Sequence, residues 1–467
     1  MSRTDYDIVV VGGGLGGAAF AVVMAKAGAR VLVVERETHF QDRIRGEFME
    51  PWGVAETRRL GIYDAIRSAA NDNPFWQLYL SGMKLDRRDI VATTPHNSPN
   101  LAIYHLMLQE LVLAEAAKAG AEVRRGAKVC EVKPGNPPAV AIESKGRVEE
   151  LSPRLVVGAD GRSSMARKWC GFATKREPDR YYIAGLLFEQ MSAPEDTAIG
   201  AYNPTIGQVG FLFPQGDGRV RAYDVYPIDA DFRLQGENST DRFVAEALNS
   251  GVPPEYYKSA RASGPLASFI SADHWVESPY RDGVVLIGDA ASASDPIFGQ
   301  GLSLTCRDVR VLTDFLRENQ DWAEACRAYA QAHDQYFTIL READNCLREI
   351  LVDRGPEADA RRARALPRVA QGIAQMPDQG FCGPDKPFDE GRIAAAYSAT
   401  ISADGRSRPG RFPKSATTRS TSCRRWNSFR YIWFNRTTTQ QSLCKTWSIL
   451  RRMLRSRSRT GWRRRWR

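Results

Sequence analysis

The sequence predicts an α/β protein whose parallel sheet is interrupted by an antiparallel one. Three observations carry this. A β-branched run at 6–11 leads through a glycine cluster into an Ala-rich stretch and a second apolar run at 30–35, the order of a β-α-β unit. Short apolar runs at 155–158 and 284–288 each feed a polar turn, as strands of the same buried sheet would. Between them, residues 181–189, 209–213 and 219–226 are rich in β-branched and aromatic residues and are separated by Gly, Pro and Asn, which reads as an antiparallel sheet.

The elements follow in chain order. Residues 6–11 form a buried strand and 15–28 a helix that Gly28 stops. The run 30–35 is the next strand. Residues 51–60 are helical, with Pro51 in the first turn and Gly61 at the end. A helix spans 105–118 and closes at Gly120. Strand 155–158 precedes a polar turn and a helix at 163–170. Strand 284–288 precedes a helix at 302–315, and helical stretches continue to about residue 397. The domains expected are 1–178, with a short insertion near 75–100; 179–275, the antiparallel sheet; 276–400, a return to the first domain plus C-terminal helices; and 401–467, a basic tail expected to be disordered.

Composition narrows the class. The chain has 467 residues, 43% hydrophobic and 26% charged, which suits a folded protein of two or three domains. The net charge of +10 hides two parts. Residues 401–467 hold 19 Lys and Arg against the single Asp404, so of the 65 basic and 55 acidic residues the body keeps 46 and 54, a net −8. The tail also carries five of the ten tryptophans but no sustained period, so a nucleic-acid or membrane role for it is the weaker reading. The 8 cysteines are all at least 20 positions apart. That argues against zinc, a redox dithiol and a secreted disulfide framework; no metal is expected, and a reducing cytoplasm is. Residues 8–25 are uncharged for 18 positions, but five glycines (12, 13, 14, 16 and 17) break the run and Asp5 and Asp7 precede it. Strand, turn and helix are expected there, not a signal peptide or a membrane span.

The first motif is Gly12-x-Gly14-x-x-Gly17 between strand and helix. Gly12 permits the tight turn, Gly14 lets a diphosphate approach the backbone, and Gly17 lets helix and strand pack closely. The helix amino end then offers N–H groups to phosphate. Glu35, 18 residues after Gly17, sits where a carboxylate accepts from ribose hydroxyls and disfavours a 2′-phosphate. This points to FAD or NAD. Arg36 follows it at the same edge.

Two further motifs decide between these. One is Gly158-Ala159-Asp160-Gly161-Arg162-Ser163-Ser164-Met165-Ala166-Arg167; the other is Gly288-Asp289-Ala290-Ala291, then Asp295-Pro296 and Gly299-Gln300-Gly301. Asp289 would stand at a strand carboxyl end, where ligands of α/β sheets bind, and a carboxylate there can fix a ribityl chain. The helix start from Leu302 would aim N–H groups at a flavin.

With all three motifs in order over roughly residues 5–400, the chain resembles the class A FAD-dependent monooxygenases, the aromatic-hydroxylase-like flavoproteins. The resemblance implies a glutathione-reductase-type, Rossmann-like FAD domain with an inserted antiparallel-sheet substrate domain. It implies bound FAD, NAD(P)H as transient reductant, and hydroxylation or epoxidation of an aromatic or polycyclic substrate with dioxygen through a flavin C4a-hydroperoxide. There is no second Gly-x-Gly-x-x-Gly, so the reductant would visit briefly or come from a reductase partner. The resemblance also implies roles for Asp160 and Arg167 in the phosphate region, Arg45 near the phosphates, His105 or Gln109 at the next helix, Val129 against adenine, and Pro296 at the oxygen pocket. Ser292 and Ser303 stand where many members have His and Asn.

For the substrate wall, Phe211 and Phe213 share one strand face, and Arg219, Arg221 and Tyr223 one face of the next. His274 is not expected to be a base. Alternatives of the same fold are a flavin-dependent reductase or dehydrogenase and a halogenase. The halogenase motif Trp-x-Trp-x-Ile-Pro is absent, and Lys84 lacks its context. A nucleic-acid-binding protein acting through the tail, and a flavin-binding protein without turnover, are readings of other classes.

Overall fold

The computed structural model describes residues 6–371 and 375–387. The first sheet runs, edge to edge, Tyr280–Arg281, Val284–Leu286, Leu155–Gly158, Ile8–Val11, Val31–Glu35 and Glu122–Arg125. All neighbours are parallel except the first pair. Ile8–Val11 has no polar residue because both faces are covered. Ile8 and Val10 point into a core shared with the helices Leu15–Lys26, His105–Lys118 and Gly301–Glu318. Val9 and Val11 point the other way, onto the three-stranded meander Lys128–Lys133, Ala139–Ser144, Arg147–Leu151.

Register brings the motifs together. Val11 pairs with both Val34 and Gly158, and Gly158 pairs with Leu286. The glycine turn, the Asp160 turn and the Asp289 turn therefore leave adjacent strands at one end of the sheet, the carboxyl end where α/β proteins bind ligands.

The second sheet has eight strands. Its path is Arg261–Ser271, Tyr181–Glu189, Arg219–Pro227, Gln208–Gly216, Thr197–Asn203, Phe75–Leu80 and Met83–Lys84, with Arg88–Asp89 also on Phe75–Leu80. It is antiparallel except where Thr197–Asn203 meets Phe75–Leu80 in parallel. One face packs on helix Thr240–Ser250. The other carries Tyr202, Phe211, Phe213 and Tyr223 into a cluster with Phe48 and Ile297. That cluster is where the sheet meets the loop after Asp289.

Some boundaries differ from the sequence reading. The short helix runs Met165–Trp169 because Ser164 caps it, its Oγ accepting from the Arg167 N–H at 2.9 Å. Helix Trp322–Leu351 is 30 residues long and starts at Asp321, whose side chain accepts from Ala323 and Glu324. The expected helical stretch to residue 397 breaks: Pro356–Ala370 is helical, Gln379–Cys382 is a single turn, and residues 388–397 lie outside the described residues, as does the basic tail. The described residues fall into two compact units, one of 6–358 with 377–387 and the other of 359–371 with 375–376. The second is helical as far as Ala370. Among the described residues, no helix is long and apolar enough to cross a membrane.

Candidate active site

The glycine turn has the geometry its motif demands. Gly12 has φ +101°, and a Cβ on it would lie 2.6 Å from the Ala159 carbonyl oxygen. A Cβ on Gly17 would lie 2.0 Å from the Gly12 oxygen. Gly14 differs: a Cβ there would meet only Gln109 Nε2, at 3.6 Å. So Gly12 and Gly17 are required by the fold, whereas the space beside Gly14 is left open by it. The helix that follows has no side-chain cap, so its first N–H groups have no side-chain acceptor. Glu35 is buried, its Oε2 accepting from the Gly13 N–H at 2.8 Å and its Oε1 from Glu37 N–H at 2.9 Å. It fixes the turn; each oxygen retains a lone pair for a hydroxyl.

The second motif acts on the third. Asp160 caps the short helix, accepting from Ser164 Oγ at 2.5 Å and from the N–H groups of Met165 and Ala166 at 2.7 and 3.1 Å. Arg167 donates to the carbonyls of Ala290 at 3.1 Å, Asp289 at 3.4 Å and Arg162 at 2.7 Å. It is not a solvated charge; it staples the Asp160 turn to the Asp289 turn. Gly288 has φ +58°, and its N–H donates to Asp308 Oδ2 at 2.7 Å, with Tyr336 on the other oxygen at 2.5 Å. Asp308, on the Gly301–Glu318 helix, was not foreseen from the sequence.

Asp289 is half-buried. Burial pushes its carboxyl up, and the guanidinium groups of Arg162, Arg45 and Arg167 oppose that. Beyond it, Pro296–Phe298 form one helical turn that Asp295 caps, its carboxylate accepting from Ile297 N–H at 3.1 Å. Gly299 turns the chain at φ +68°, and Gly301 opens the long helix without a side-chain cap. Gln300 points inward, Oε1 accepting from Trp52 Nε1 at 3.3 Å and Nε2 donating to Phe298 O at 2.9 Å, so only its backbone faces the turn. Leu302 is buried in the first core.

The remaining sequence candidates scatter around this centre. Arg45 and Arg36 are exposed; Arg36 pairs with Glu37 at 3.5 Å. His105 stands by Gly46 O at 3.0 Å through Nδ1, its N–H donates to Glu47 Oε1 at 3.1 Å, and burial lowers its pKa. Gln109 lies beside Gly14, and Val129 is packed on the sheet by Val11 and Val34. Arg221 is fully buried and bidentate to Glu47, at 2.8 and 2.9 Å, with Gln215 also donating to Glu47 at 2.5 Å. Tyr223 donates to the Arg45 carbonyl. These two sheet residues therefore grip the loop that carries Arg45, a role the sequence reading did not give them; Glu47 went unnoticed because nothing local marks it. Phe211 and Phe213 stack at 5.7 Å, and Phe213 on Phe48 at 4.1 Å. Ser292 bonds His333 Nε2 at 3.0 Å, and Ser303 Oγ accepts from Glu50 N–H at 3.1 Å. Lys84 is exposed on an edge strand. His274 is buried and held neutral, its pKa lowered to about 3 by burial and then by Arg162.

An open cradle at Gly14, two helix amino ends without side-chain caps and an acidic residue at a strand end fit a dinucleotide with a ribityl chain. Among the described residues no group of three His, Cys, Asp or Glu could hold a metal. The fold and site thus define a flavin-dinucleotide protein. Residues 5–336 match the FAD binding domain family, and the chain belongs to it. It is an FAD-dependent oxidoreductase, and class A monooxygenases, whose typical reductant is NAD(P)H, are among the proteins it is similar to. Digeranylgeranylglycerophospholipid reductase 2 of Methanopyrus kandleri is 26% identical over 366 residues, 71% of this chain and 83% of that protein. Rifampicin monooxygenase of Streptomyces venezuelae is 27% identical over 361 residues, 76% and 73% of the two chains. Among solved structures, p-nitrophenol 4-monooxygenase of Pseudomonas putida superposes with a TM-score of 0.66 at 21% identity, over 77% of this chain and 92% of that one.

Proposed function

We propose that this protein is an NAD(P)H-driven monooxygenase that hydroxylates or epoxidises an aromatic or polycyclic small molecule. The carrying observation is the aromatic face of the second sheet, Tyr202, Phe211, Phe213 and Tyr223, clustered with Ile297 of the turn between Asp289 and the long helix. Apolar rings there would suit a flat substrate and keep water from it.

The residues present divide the work. The Gly12–Gly17 turn and the helix after it would hold the diphosphate, and Glu35 a ribose. Asp289 would hold the ribityl hydroxyls, and the Gly301–Leu302 amides would face the pyrimidine edge of the ring. When bound, FAD supplies the hydride acceptance and oxygen activation that no side chain here can supply. Those amides favour the negative charge of the reduced ring. Pro296, with no N–H and a fixed φ, would shape the oxygen pocket. Electrons would come from NAD(P)H arriving from solvent or from a reductase partner.

NAD(P)H oxidation stimulated by an aromatic ligand, with one atom of labelled dioxygen appearing in the product, tests the reading. Product without label would favour the second reading, a flavin-linked reductase, which the likeness to the Methanopyrus reductase supports.

A further inference from the structure

We propose that Tyr329, His333 and Tyr336, together with Asp308, are positioning residues for the flavin: they hold the turn at 288–292 so that the Asp289 carboxylate is presented to the ribityl chain. The inference rests on the reading of Asp289 as the ribityl ligand. It adds to that reading four residues that act only through the turn.

Tyr329, His333 and Tyr336 stand at i, i+4 and i+7 of helix Trp322–Leu351, so they share one face, and all three are buried. Each reaches the same short stretch of chain. The Tyr329 hydroxyl donates at 3.0 Å to the carbonyl of Leu286, the last residue of the strand that enters the turn. His333 Nε2 meets Ser292 Oγ, at the exit, at 3.0 Å. The Tyr336 hydroxyl donates to Asp308 Oδ1 at 2.5 Å, and Asp308 Oδ2 accepts from the Gly288 N–H at 2.7 Å. Entrance, left-handed glycine and exit are thus pinned to one helix face, and Arg167 holds the Asp289 and Ala290 carbonyls between them. The Asp289 carboxylate is the group left over: half-buried, it accepts no hydrogen bond among the described residues.

Ser292, His333 and Asp334 have the order of a hydrolytic relay, since His333 Nδ1 lies 3.3 Å from Asp334 Oδ1. Ser292 and His333 are only 1% and 0% exposed, so no substrate reaches the hydroxyl. The relay fixes a tautomer instead: with Nδ1–H donated to the carboxylate, Nε2 is left to accept from Ser292. The rings of Tyr329, Tyr336 and Phe337, centred 5.9, 5.5 and 5.9 Å from the imidazole, hold it in that orientation. Stability alone does not require these groups. Burying a carboxyl, an imidazole and two phenols carries a desolvation cost that apolar side chains of similar volume avoid. Directional bonds add a defined position, and Gly288, at φ +58°, is the point of the turn where position decides which way Asp289 faces.

The test measures the Kd for FAD by equilibrium dilution of the full-length, FAD-loaded protein, with released flavin read by its fluorescence and no turnover involved. Tyr336→Phe and His333→Leu should each raise the Kd about fivefold or more. His333→Gln, whose amide can accept from Ser292 in place of Nε2, should stay within about twofold of wild type. In an Asp289→Ala background, Tyr336→Phe should add less than about twofold, because the carboxylate it positions is gone. Wild-type affinity in both Tyr336→Phe and His333→Leu, a His333→Gln as weak as His333→Leu, or a full Tyr336→Phe loss on top of Asp289→Ala overturns the proposal. Either helix variant decides alone if the other fails to fold. Asp289→Ala by itself reports on the ribityl reading: wild-type affinity there ends that reading, whereas a loss there with none in the helix variants ends only this proposal.

Discussion

The nucleotide half of this molecule and the half proposed to take the substrate are built by different means. In the first, backbone does the work: glycines at 12, 17, 288 and 299 are set by positive φ or by the lack of room for a Cβ, and two helix amino ends carry no side-chain cap. In the second, side chains do: an aromatic face and the buried Arg221–Glu47 pair. A backbone site fails outright when a methyl group is added. A side-chain site changes by degrees, which suits the half where relatives of one fold diverge in substrate.

The sharpest break is Gly17→Ala. Its Cβ would sit 2.0 Å from the Gly12 oxygen, so strand and helix must part. A loss of about 3 kcal/mol or more is expected, with no flavin retained, read by denaturant midpoint and absorbance. Phe213→Leu in the other half should leave flavin content intact. Next is Arg221→Met, which strands the buried Glu47 carboxylate and should cost about 3–5 kcal/mol; adding Glu47→Leu should recover most of it. If the double variant is no better, the pair is not the grip on the Arg45 loop described above.

Asp289→Ala should lower FAD affinity by about 1.5–3 kcal/mol while the apoprotein melts as wild type does, because Arg167 holds that turn through backbone carbonyls. Smaller per pH unit is an effect of acid at the edge of the other half. His274 is neutral in the fold, with its pKa lowered to about 3, and ionises near 6.5 when unfolded. The unfolded chain binds the extra proton in that window, so stability falls as pH drops from about 6.5 towards 3, by up to about 1.4 kcal/mol per pH unit from this group. His274→Gln should flatten that slope in urea titrations. Arg36→Ala, at an exposed pair, should shift stability by less than about 0.5 kcal/mol.

These contrasts explain what could be read in advance. The Gly12–Gly17 turn and the Gly288-Asp289 turn were legible because each conformation demands a residue type at a fixed spacing. The strands on either side follow from their apolar runs. Asp160 and Arg167 were legible as a motif but not as a cap and a staple, since their partners lie on other elements. The parallel pairing of Phe75–Leu80 with Thr197–Asn203 joins segments more than a hundred residues apart. Glu47, Glu50, Asp308 and Asp344 carry no local signal: a lone acid in a loop or helix looks like any solvated charge until the fold buries it.

The most direct measurement is the FAD bound by purified wild type and by Asp289→Ala, side by side. The account predicts a yellow wild type holding one FAD per chain, released on denaturation, and a variant that folds but loses most of it. A well-folded wild type that stays colourless when FAD is supplied, or a variant that keeps its flavin in full, would contradict it.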